Sequence, residues 1–137
     1  MKNITSTIQS KHSVAILAFD VSKDRLNMAT DLGGQLSDHE FPNHSMDVEH
    51  QLKVWAQRAK TAGFNQVMVV CEPTGCYHTT LLSTAHRLGL QTAWVSGEAV
   101  FKMRAIETND SGKTDLKDPH VIHTLASMGK NSHLSPL

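Results

Sequence analysis

The sequence predicts an α/β domain built on a mixed five-stranded sheet, three antiparallel strands followed by parallel ones, with helices on both sides. Three observations carry this. Val14-Ala15-Ile16-Leu17-Ala18-Phe19 is a short apolar run that ends in Asp20, the pattern of a buried strand stopping where its backbone meets solvent. Val67-Met68-Val69-Val70-Cys71 repeats the pattern and ends in Glu72. Between and after these runs the apolar period shifts from two to helical spacing and back, the alternation expected of strand and helix layers.

Each element follows in order. Residues 1–12 are polar and aperiodic and read as a tail. Strand one covers about 14–20. Residues 25–30 alternate polar and apolar as a half-exposed strand does, and Asp31-Leu32-Gly33-Gly34-Gln35 turns the chain. Residues 36–42 form the third strand, which Pro42 closes. Asn43 or Ser45 can then cap a helix whose apolar positions are Met46, Val48, Leu52, Trp55, Ala56 and Ala59, and Gly63 ends it. Strand four, 66–71, is apolar almost throughout. A helix at about 77–88 presents Leu81, Leu82, Ala85 and Leu88. Residues 91–95 make strand five, and a helix at 97–106 leads into a polar loop, 107–114. A last helix runs from 116–119 to 128, with Val121, Ile122, Leu125 and Met128 on its apolar side. Residues 131–137 are polar and read as a second tail, which leaves 13–130 as the folded domain. Trp55 and Trp94 occupy apolar positions and are expected in the core.

Composition narrows the function classes. One domain of 137 residues can bury a core without staples. Lys+Arg and Asp+Glu balance at 13 each, so bulk charge supplies no electrostatic footprint for nucleic acid, and any such contact must be local. Cys71 and Cys76 have four residues between them, not the two typical of zinc or redox motifs, and two thiols make no disulfide framework. A reducing cytoplasm is the expected location. No segment reaches transmembrane length and none reads as a signal peptide, so no membrane partner is expected.

The chemistry-bearing residues are acids. In a parallel pair, Asp20 and Glu72 would emerge together at the carboxyl ends of their strands, where open α/β sheets place their sites. Lys113-Thr114-Asp115-Leu116-Lys117-Asp118 adds two more, three residues apart at the start of the last helix. Four oxygen donors suit Mg²⁺ or Mn²⁺, and a pair of such ions can drive phosphodiester cleavage. Plainer roles exist for two of the four. Asp118 before Pro119 is an ordinary N-cap, and Glu72 before Pro73 can simply end a strand. Lys23, Thr74, Gly75, His78 and Lys113 are candidate phosphate contacts, Thr74 and Gly75 through backbone N–H groups at a helix start. His120 and His123, three apart on the last helix, allow a transition-metal site but are expected to face solvent.

Phe19-Asp20-Val21-Ser22-Lys23, then Glu72-Pro73-Thr74-Gly75-Cys76-Tyr77-His78, then Lys113 to Asp118, taken together and in this order, resemble the N-terminal half of the DEDD-type insertion-sequence transposases of the IS110 type, a family that also holds the pilin-gene invertase Piv. The resemblance covers about 14–130. It implies a RuvC-like, ribonuclease-H-type fold, with Asp20, Glu72, Asp115 and Asp118 as the catalytic, metal-binding set. It implies DNA as substrate in transposition and recombination, a guide RNA in related members, and a homo-oligomer of the full-length protein. Relatives are about twice as long, and their second half carries a nucleophilic serine that has no counterpart here. A truncated or excised catalytic domain is therefore expected. Two other classes are weighed against it. One is an inactive nucleic-acid-binding or dimerisation module. The other is an actin-like nucleotide enzyme, which would need a Gly-rich loop after strand one, where Val21-Ser22-Lys23-Asp24 has no Gly.

Overall fold

The computed structural model describes residues 13–32, 34–73, 75–111, 118–129 and 132–133, with side chains described except at 107–111, 118 and 132–133. The strands are β1 (Val14–Val21), β2 (Arg25–Thr30), β3 (Ser37–Pro42), β4 (Gln66–Cys71), β5 (Gln91–Trp94) and β6 (Ser132–His133). The helices are α1 (Ser45–Thr61), α2 (Thr79–Arg87), α3 (Gly97–Ser111) and α4 (Asp118–Ser127). The sheet order is β3-β2-β1-β4-β5-β6. β1 pairs antiparallel with β2 and parallel with β4, and β5 continues the parallel side. The five expected strands are thus present with the expected directions, and β1 and β4 are neighbours. No described helix is long and apolar enough to cross a membrane.

The alternation along β1 and β4 sorts the core into two layers. Leu17, Phe19, Val69 and Cys71 pack with Leu52 and Trp55 of α1 and with Leu81 and Ala85 of α2. Ala18, Met68 and Val70 face the other way, against Val100 of α3 and Val121, Ile122 and Leu125 of α4. Both strands are buried on both faces, which is why each reads as a continuous apolar run. Trp55 is buried as expected, while Trp94 is only half-buried.

Three expectations are corrected. The helix after β5 does not give way to a loop at 107; its backbone stays helical through Ser111, since none of residues 107–111 is the Gly or Pro that would break it. The polar stretch after 130 contributes a sixth, two-residue strand, in which Ser132 and His133 pair antiparallel with Trp94 and Ala93. Neither Asn43 nor Ser45 caps α1. His44 holds that position and makes no side-chain cap bond, because the Asn43 side chain is engaged elsewhere.

At the far end of β2, Thr30 is buried, and its Oγ1 donates to the Ile16 carbonyl at 2.9 Å. Thr30→Val keeps the shape and loses the bond, so equilibrium urea unfolding should show a loss of about 1 kcal/mol.

Candidate active site at the carboxyl edge

The β1/β4 register ends with Phe19 opposite Cys71. Asp20 and Glu72 are the next residue on each strand, so the backbone sets them side by side, roughly 5 Å apart at neighbouring strand ends. Parity fixes their direction. Ala18 and Val70 point to the α3/α4 layer, and the side chains two residues on share that face. The sheet therefore delivers two carboxylates to one face of one edge. Both are half-buried.

The Glu72 side chain confirms its direction by what it touches. A Cβ built on Gly97 would lie 2.8 Å from Glu72 Oε2 and 3.8 Å from its Cδ. The carboxylate thus lies in a notch that exists because the first residue of α3 has no side chain. Gly97 is not required by its backbone, since its φ is not in the left-handed region. The helix start is otherwise ordinary: Ser96 Oγ accepts from the Ala99 N–H at 3.0 Å. Sequence reasoning missed Gly97. Its only trace there is a glycine, the residue second-worst for helices, at the opening of one.

α4 completes the edge. Its later residues His123, Ala126 and Ser127 line a groove with Val14 and Ile16, at the amino end of β1. The helix therefore runs antiparallel to β1, and its first residue, Asp118, starts toward the edge that holds Asp20 and Glu72. Only the backbone of Asp118 is described. Asp115, Lys113 and Thr74 lie outside the described residues. Among the described residues no three His, Cys, Asp or Glu side chains form a group able to hold a metal ion. Of the four expected acids, then, the structure describes two together, and their fit to a hard cation rests on an oxygen-only pair with one carboxylate seated in the Gly97 notch. Burial pushes the Cys71 thiol up to about 12, with the Glu72 charge adding to the shift.

The phosphate candidates are arranged differently from expectation. Lys23 is exposed in the tight turn after β1, where the Ser22 N–H donates to the Arg25 carbonyl at 3.0 Å. Gly75 is not at a helix start. It sits in a turn with φ of 57°, and α2 begins four residues later at Thr79. His78 is the N-cap residue of α2, half-buried and without a side-chain cap bond. Cys76 is exposed and Cys71 buried, and both are free thiols.

The two histidines of α4 are also corrected. His123 does not face solvent; it is 5% exposed, with Nε2 3.5 Å from Asp31 Oδ1. His120 pairs through Nε2 with Asp38 of β3. Burial holds the His123 pKa below the ordinary 6.5, against the pull of Asp31, whose contact is too long for a good hydrogen bond. Since the folded state resists the proton that the unfolded chain accepts, stability is complete above pH 6.5 and falls as pH drops through 6.5 toward the folded value. Burial lowers His39 in the same sense. Urea melts at pH 7.5 and 5.5 should show a loss of about 1 kcal/mol or less, reduced in His123→Gln.

Comparison with known proteins bears on the fold and the family. No curated protein matches the chain. The structure of Thermus thermophilus RuvC in complex with a Holliday junction substrate superposes with a TM-score of 0.57 at 12% identity, covering 88% of this chain and 99% of that one. A second Thermus thermophilus RuvC structure gives 0.54 at the same identity and coverage. At that identity the likeness speaks for the fold alone, which is RuvC-like. The model of the DEDD transposases of IS110 type matches residues 17–137, a span that takes in Asp20, Glu72 and the whole of α4. With both acids in the matched span and the sheet that carries them RuvC-like, the chain belongs to the IS110 family of DEDD transposases.

Proposed function

We propose that this domain is the metal-dependent catalytic part of a DNA transposase, acting on phosphodiester bonds. The observation that carries the reading is the placement of Asp20 and Glu72 on one face at adjoining strand ends, toward which the first residue of α4 is directed. Asp20 and Glu72 would hold Mg²⁺ or Mn²⁺, with Asp118 and Asp115 as the remaining acids of the set. Such ions, when bound, would supply activation of the attacking oxygen and stabilisation of charge on the leaving one. The protein's part is to hold the carboxylates in position before substrate arrives.

DNA is the proposed partner. The family supplies the reason, and a RuvC neighbour was solved with a Holliday junction. The balanced charge of the chain gives no general attraction to DNA. Contact must come from the rim of the edge, where Lys23 is exposed. A bridging RNA and a homo-oligomer of a longer protein belong to the same proposal.

The test is a nicking assay on duplex and four-way-junction DNA with Mg²⁺, with Mn²⁺ and with EDTA. Cation-dependent nicking that disappears in Asp20→Ala is the expected result. Equal signals from wild type and Asp20→Ala would leave an inactive binding module in its place.

A further inference from the structure

We infer that Asn43 is a positioning residue for the acidic pair, an inference that rests on the proposed metal-binding role of Asp20 and Glu72. Asn43 follows β3, and its backbone N–H donates to the Asp24 carbonyl at 2.9 Å. Its side-chain Nδ2 donates twice, to the Ser22 carbonyl at 2.9 Å and to the Tyr77 carbonyl at 3.0 Å. Ser22 is two residues past Asp20 and Tyr77 is five past Glu72. One planar amide thus spends one hydrogen on each of the two loops that leave the site. The orientation of the amide follows from its neighbours: both are carbonyl oxygens, and only the nitrogen can face them.

The need for such a tie lies in the sheet. The paired register between β1 and β4 stops at Phe19 and Cys71. The Cys71 carbonyl accepts instead from the Val95 N–H, at 3.0 Å, on the β5 side. Past that point, among the described residues, no paired register joins the two chains, and the spacing of the acids falls to whatever ties the loops that follow them. Asn43 bridges the gap from the α1/α2 side and sets the spacing of the loops behind the acids. Few side chains can do this. Serine offers one donor and alanine none, an aspartate would turn oxygen toward both carbonyls, and a glutamine is one methylene too long.

The experiment measures Mn²⁺ affinity by calorimetry on the full chain, at a temperature where circular dichroism shows every variant folded. Hydrogen exchange is followed at the amides of residues 22–25 and 76–79. Asn43→Ala should bind Mn²⁺ about tenfold more weakly and Asn43→Ser about threefold, with faster exchange in both segments, as when a partner that orients metal ligands is removed. Thr30→Val, destabilised at the opposite end of the sheet, should stay within about twofold of wild type, which separates positioning from general loosening. Wild-type affinity in Asn43→Ala, or an equal loss in Thr30→Val, would overturn the inference. If Asn43→Ala does not fold, Asn43→Ser decides on the same terms. Wild type binding no more tightly than Asp20→Asn is a different failure: it removes the metal reading, and the positioning role with it, whatever Asn43 does to the loops.

Discussion

Asp20→Asn should abolish cation-dependent nicking, by about a thousandfold or more, and leave the fold intact. A thousandfold corresponds to roughly 4 kcal/mol of transition-state stabilisation, the scale expected when a carboxylate that holds a catalytic cation is lost. The fold should survive because Asp20 is half-exposed at a strand end and the substitution keeps its shape. The melting temperature without divalent cation should therefore stay close to that of wild type. With Mn²⁺ the two should separate. A cation that binds only the folded state raises the wild-type melting temperature by linkage, and the variant should gain little. An Asp20 that served only to end β1 would show none of this separation. Its replacement would shift both melting curves together and leave nicking where it was.

What the residues alone disclose, and what they conceal, divides along a physical line. Strands β1 and β4 are legible because both of their faces are buried, so their composition says strand whatever they pack against. Their terminal acids are legible for a related reason: a charge closing an apolar run has to sit where the run meets water. Other features belong to tertiary neighbours. His123 reads as an ordinary polar position on a helix; the arrival of Asp31 from the end of β2 sets a carboxylate beside its imidazole where the helix packs on the sheet and buries it. Asn43 reads as a helix cap because Asn is a good one. Its two hydrogens go instead to carbonyls 21 and 34 residues away in sequence, and no local pattern announces a bond of that span. The continuation of α3 through Ser111 was hidden by composition, since polar residues without Gly or Pro are compatible with helix and loop alike.

Gly97 is the sharpest instance of a concealed residue, and it yields the second large expectation. Gly97→Ala should reduce nicking by about a hundredfold while leaving the protein as stable as before, or slightly more so. At an ordinary helical position this exchange favours the helix by up to about 1 kcal/mol. The backbone raises no objection, because its φ is not in the left-handed region. The one obstacle is Glu72. The new methyl would sit 2.8 Å from Oε2, closer than carbon and oxygen tolerate, so one of them must yield. The flexible partner is the glutamate, whose side chain can rotate away at small energetic cost. Stability therefore registers little, while the carboxylate leaves the place where the proposed cation needs it. A displacement of about 1 Å in a catalytic group can cost a hundredfold in rate. Thermal melts and nicking rates measured on the same samples should thus move in opposite directions. Glu72→Gln serves as the reference for complete loss of the carboxylate. If Gly97→Ala nicks at the wild-type rate, Glu72 does its work from some other position than the notch. If it loses stability by several kcal/mol, the glycine serves packing rather than the acid.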